Sequence, residues 1–66
     1  MKMKTMLDVR NLLKRFGTFI YTGDRLGDAQ LMIMEIEELK EQGLISQEEY
    51  LQAILLLRKE EARFRQ

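Results

Sequence analysis

The chain has 66 residues, with 11 basic and 11 acidic side chains balancing to zero net charge, and contains no cysteine, histidine, proline or tryptophan. That length leaves room for a single domain, residues 1–66, which buries only about 60% of its unfolded surface and draws on the order of 3–5 kcal/mol from one core. The missing cysteines and histidines exclude disulfides, thiolate zinc sites and the commonest metal ligand and general base, which leaves only carboxylate, lysine or tyrosine chemistry. An enzyme is a distant third reading, and no cofactor or metal site is expected.

No stretch approaches the roughly 18 apolar residues that span a bilayer. The basic start Met1-Lys2-Met3-Lys4 is not followed by the apolar run of a signal peptide, because Asp8, Arg10 and Asn11 interrupt it. A soluble, cytoplasmic protein without membrane contact is expected.

Zero net charge conceals a segregation along the chain. Residues 1–25 hold six bases against two acids, residues 26–50 seven acids against Lys40 alone, and residues 51–66 four bases against two acids. An acidic middle separates two basic ends.

The first helix is predicted from about Thr5 to Phe16. Thr5 caps it, and Asp8 three positions on supplies the return bond of a capping box. Met6, Val9, Leu12, Leu13 and Phe16 fall in one apolar arc at helical spacing, with Arg10, Asn11, Lys14 and Arg15 outside it. Lys14 and Arg15 suit the negative end of the helix dipole, which is sufficient reason for their presence even without a ligand. Gly17 then stops the helix.

Between the glycines lies Thr18-Phe19-Ile20-Tyr21-Thr22, a run of aromatic and β-branched residues that favours extended backbone. Such a crossing between helices is unusually apolar, since connections are mostly polar and often carry function. It is the candidate site. Phe19 and Ile20 are expected to cover the end of the bundle as core, while Tyr21 is balanced between packing and binding.

The second helix is predicted from Asp24, or from Thr22 if the threonine is the cap, to Gln42. Leu26, Ala29, Met32, Ile33, Ile36 and Leu39 form its apolar arc. Leu31 and Met34 fall outside that arc, either beneath the crossing loop, in a weak dimer contact, or simply exposed, in that order of expectation. Glu35, Glu38 and Glu41 share an outer face that reads as solvated, not as a metal site.

Gly43 suits a Schellman turn in which Leu44 touches Leu39, and Ser46 caps a third helix with Glu49 as its capping-box partner and Ile45 stapled to Tyr50. The second and third helices therefore form an antiparallel hairpin. The third helix runs from Gln47 to about Arg63, with Tyr50, Ala53, Ile54, Leu57 and Phe64 as its main stripe. Leu51 and Leu55 form a second stripe that would touch another neighbour. The opening Gln47-Glu48-Glu49 would repel phosphate, which argues against a helix-turn-helix reader of duplex DNA. Gly17 and Gly23 lack the spacing and the lysine of a P-loop.

An up, down and up course would bring the end of the first helix, the start of the second and the end of the third to one pole. Lys14, Arg15, Arg25, Arg58, Lys59, Arg63 and Arg65 would ring it, with Phe19 and Tyr21 in the loop and Arg10 one turn before Lys14. Cations for phosphates and rings for unpaired bases are what single-stranded nucleic acid requires. The functional expectation does not survive if the first helix docks antiparallel to the third, because these bases would then be scattered.

The segment Leu12-Leu13-Lys14-Arg15-Phe16-Gly17-Thr18-Phe19-Ile20-Tyr21-Thr22-Gly23-Asp24-Arg25, followed by Leu31-Met32, Glu35-Ile36, Glu38-Leu39 and Gly43-Leu44-Ile45, resembles the YqgQ family of small bacterial proteins over nearly the whole chain. The resemblance implies an all-α, compact three-helix bundle with no known enzymatic activity and a suggested role in binding single-stranded nucleic acid. Ile33 and Met34 stand where more polar residues are expected of the family. The expectation is a module that binds single-stranded DNA or RNA without sequence preference, through phosphate contacts from Arg10, Lys14, Arg15 and Arg25 and stacking by Tyr21, extended by Arg58 and Lys59. The alternative is a protein-interaction module using Leu31, Met34 and the acidic second helix to meet a partner or form a weak homodimer.

Overall fold

In the computed structural model, which describes residues 2–65, three helices form: α1 Met6–Arg15, α2 Arg25–Glu41 and α3 Gln47–Phe64. The local signals account for their ends. The Asp8 amide donates to the Thr5 hydroxyl and the Thr5 amide donates back to the Asp8 carboxylate, and the same reciprocal pair joins Ser46 and Glu49 at 2.9 and 3.0 Å. Both predicted capping boxes are present. At the far end of α1, the Gly17 amide donates to Lys14 and the Thr18 amide to Leu13. After α2, the Gly43 amide donates to Lys40 and the Leu44 amide to Leu39. Both are Schellman closures, and each needs the positive φ that Gly17 (+79°) and Gly43 (+74°) supply. α2 instead starts at Asp24 without a side-chain cap.

The core draws Val9, Leu12 and Leu13 from α1, Met32, Ile33, Ile36 and Leu39 from α2, Ile45 from the hairpin turn, and Ala53 and Leu57 from α3, with Met3 added from the segment ahead of α1. Ile33 is thus a core residue and its apolar character belongs to packing. Several expectations need correction. Leu31 and Met34 remain exposed, so the crossing loop does not cover them, and Leu51 and Leu55 are exposed as well. Leu56, not Leu55, packs on the core. Two carboxylates of the charge segregation, Asp28 and Glu61, are buried.

The course of α1 also departs from the up, down and up expectation. Its first turn lies beside the start of α2 and the later part of α3, where Met6, Arg25, Leu56 and Glu60 line one depression. Its last turn lies by the first turn of α3, where the Arg15 guanidinium is 3.9 Å from the Glu49 carboxylate. α1 therefore runs counter to α3 and in the general direction of α2. The reason lies in the length of the crossing: six extended residues reach about 20 Å, while a ten-residue helix is about 15 Å long. The chain reverses at Gly17 and the crossing segment returns along the side of α1, so α2 begins beside the first half of α1.

Candidate nucleic-acid interface

The returning segment is held at two points by polar bonds. The Arg10 guanidinium donates to the Ile20 carbonyl at 2.8 Å. The Asp28 carboxylate, 2% exposed, accepts the Thr22 hydroxyl at 2.6 Å and the Thr22 amide at 3.1 Å. The Thr22 hydroxyl is the main influence holding the Asp28 carboxyl below its ordinary value; burial opposes it, and the Thr22 amide and the charge of Arg10 assist. Ile20 turns inward onto the core. Because side chains alternate along extended backbone, its neighbours point out: Phe19 is 74% and Tyr21 82% exposed. Phe19 was expected as core and is not. The Arg10 guanidinium lies 6.0 Å from the centre of the Tyr21 ring, at the limit of a cation–π contact.

Three depressions adjoin along this side of the molecule. The first, about 170 Å³, lies between α1 and the crossing loop, with Leu7, Lys14, Phe19, Tyr21 and Met32 among its walls. It shares Arg10 and Tyr21 with a second, which shares Met6, Arg25 and Glu60 with a third. The third is rimmed by Lys4, Lys59 and Arg63. Together they make one groove running from Phe19 across α1 and α2 to the last turns of α3. At its far end the Phe64 ring has two guanidinium groups within cation–π range, Arg25 at 5.0 Å and Arg63 at 5.3 Å from its centre. Arg25 also meets Glu60 at 3.5 Å and keeps more than half of its side chain in solvent. Lys4, Lys14 and Lys59 make no ion pair among the described residues.

The counter-running course of α1 removes the single basic pole on which the sequence-based expectation rested, and the bases that do gather border a groove with a different membership. Arg10, Lys14, Tyr21, Arg25 and Lys59 border it, with Arg10 half-buried and committed to the loop. Arg15 lies away from it at the Glu49 end, and Arg58 lies on the opposite flank of α3, bonded at 3.2 Å to Glu61. Arg65 joins the same carboxylate at 3.1 Å. Lys4 was missed because it precedes α1, and only the reversed course of that helix brings it to Lys59. The one available signal was the cluster of bases at the chain start, which carries no direction.

A model of the YqgQ-like family matches residues 3–63. The uncharacterised protein YqgQ of Bacillus subtilis (strain 168) is 41% identical over 58 residues, which cover 88% of this chain and 82% of that relative. A match of this extent takes in all three helices, the returning loop and the hairpin turn, and the chain belongs to the YqgQ-like family.

Proposed function

We propose that this is a non-catalytic cytoplasmic protein that binds single-stranded nucleic acid along the groove. The observation that carries the proposal is the pair of exposed rings, Phe19 and Tyr21, presented by a loop that Arg10 and Asp28 hold in place. An extended segment that keeps two large rings in water gains nothing from their burial. Stacking on an unpaired base is worth roughly 1–3 kcal/mol per ring and is indifferent to base identity. Lys14 on one side, and Arg25, Lys59 and Arg63 on the other, supply about four phosphate contacts. Arg10 positions Tyr21 and the loop and is not counted among them. A duplex keeps its bases paired and would meet only the cations, so single strands bind more tightly.

The test is fluorescence anisotropy of labelled single-stranded DNA, single-stranded RNA and duplex oligomers at several salt concentrations. The expected result is preferential binding of single strands with a log–log salt slope of about −3, as about four contacts on a single strand require. Lys59→Glu with Lys14→Glu abolishes binding, while Arg15→Glu, outside the groove, leaves it nearly unchanged. Absence of binding at low salt, or an equal loss in the Lys14/Lys59 double variant and in Arg15→Glu, overturns the proposal.

A further inference from the structure

α1 covers only one side of the α2–α3 hairpin, and the side it leaves open has a charge pattern that matches itself. The contacts of α1 and its leading segment fall on Glu49, Gln52, Leu56 and Glu60, which are spaced three to four apart and so form one flank of α3. The other flank carries Leu51, Leu55 and Arg58. It is joined to α2 through the Gln30 amide, which donates to Glu61 at 3.4 Å. Met34, one turn after Gln30, lies on the same side. Leu51, Leu55 and Met34 are 55%, 63% and 63% exposed, and together they form an apolar strip near the middle of the hairpin. Toward the turn end of this face, Glu37 and Glu41 line a shallow depression that begins at Met34, and Glu48 lies in the first turn of α3. At the open end stand Arg58 and Arg65, both more than half exposed despite their bonds to Glu61.

The order acid, apolar, base along one face is what a two-fold interface requires, since each patch of one copy must meet its complement on the other. We infer that a second copy of this chain docks on the open α2–α3 face, antiparallel, as a four-helix layer. Leu51, Leu55 and Met34 of the two copies meet at the axis, and each acidic turn end receives the Arg58 and Arg65 end of the other. The face is small and its rim is charged, which places the association in the weak, salt-sensitive class. It leaves the nucleic-acid groove open, so the inference does not depend on that reading.

Sedimentation velocity of the full chain from about 10 μM to about 1 mM, the range suited to a small interface, tests it. The wild type is expected to shift toward dimer with concentration. Leu55→Glu remains monomeric with an unchanged helical circular-dichroism spectrum, and Leu31→Gln, on the other flank of α2, dimerises as the wild type does. Glu48→Arg and Arg65→Glu are each monomeric alone and form a dimer when mixed in equal amounts, because the mixture restores attraction at both ends. A wild type that stays monomeric throughout overturns the inference. So does a dimer that survives Leu55→Glu, one that is lost in Leu31→Gln, or an equimolar mixture that fails to associate.

Discussion

Asp28 holds the loop more directly than any other residue. As a buried carboxylate whose oxygens are taken up by the Thr22 hydroxyl and amide, it ties the end of the crossing segment to α2. Its folded value lies below the ordinary one. Its stabilising contribution is therefore complete above the unfolded carboxylate range and is lost as pH falls through the lower folded value. Asp28→Asn cannot titrate at this position. It is expected to be less stable than the wild type at neutral pH in urea denaturation, with the difference closing in acid; a gap that stays constant as pH falls would contradict this assignment. Thr22→Val removes only the hydroxyl and should lower stability by about 1 kcal/mol, with the loss also visible as faster amide exchange at Tyr21 and Thr22. Sequence reading counted Asp28 among seven acids of the middle segment. Nothing local marks it, because its partner lies in the preceding loop.

At the level of the elements, the tight turn between α2 and α3 shows what local pattern can specify. Gly43 has φ +74° with nothing within 4 Å of an added Cβ, so Gly43→Ala costs only backbone strain, about 1–2 kcal/mol. Ser46→Ala removes the side-chain acceptor of the capping box at a cost of about 1 kcal/mol. Gly27 offers a contrasting case in the first turn of α2. An added Cβ there would stand 2.6 Å from an Asp24 carboxylate oxygen, but that side chain is exposed, makes no cap bond and can rotate away. Gly27→Ala is expected to raise stability by up to about 1 kcal/mol, read from thermal or urea unfolding. Caps, stops and apolar stripes were legible because each joins residues three to five apart. The course of α1 was not, because it depends on how far an extended run travels and on the Arg10–Ile20 and Thr22–Asp28 bonds. Glu61 escaped for a related reason: it continues the spacing of Leu57, where an apolar residue is the default, and its partner Gln30 is 31 positions away. The exposure of Phe19 follows from the same returning segment, whose alternation turns Ile20 in and its neighbours out.

Across the whole molecule, zero net charge resolves into a basic groove on the α1 side and a self-complementary α2–α3 face on the other. Four carboxyls, Asp8, Asp28, Glu49 and Glu61, are held below their ordinary values by hydrogen bonds, chiefly from the Lys4 amide, the Thr22 hydroxyl, the Ser46 amide and the Arg58 guanidinium respectively. All four contribute stability that is complete above the ordinary carboxylate range and is lost as they protonate. Stability is thus expected to be nearly flat from about pH 5 to 7 and to fall below about pH 4. Binding of a single strand along the groove is tested most directly by residue-resolved NMR. Amide shifts of the labelled protein would be followed during titration with an oligothymidylate. The expected perturbations are confined to Lys14, Phe19 to Thr22, Arg25 and Lys59 to Arg63, with Leu51 and Leu55 unmoved. Perturbations centred on the Leu51 and Leu55 face, or none at oligomer excess in low salt, would contradict binding along the groove.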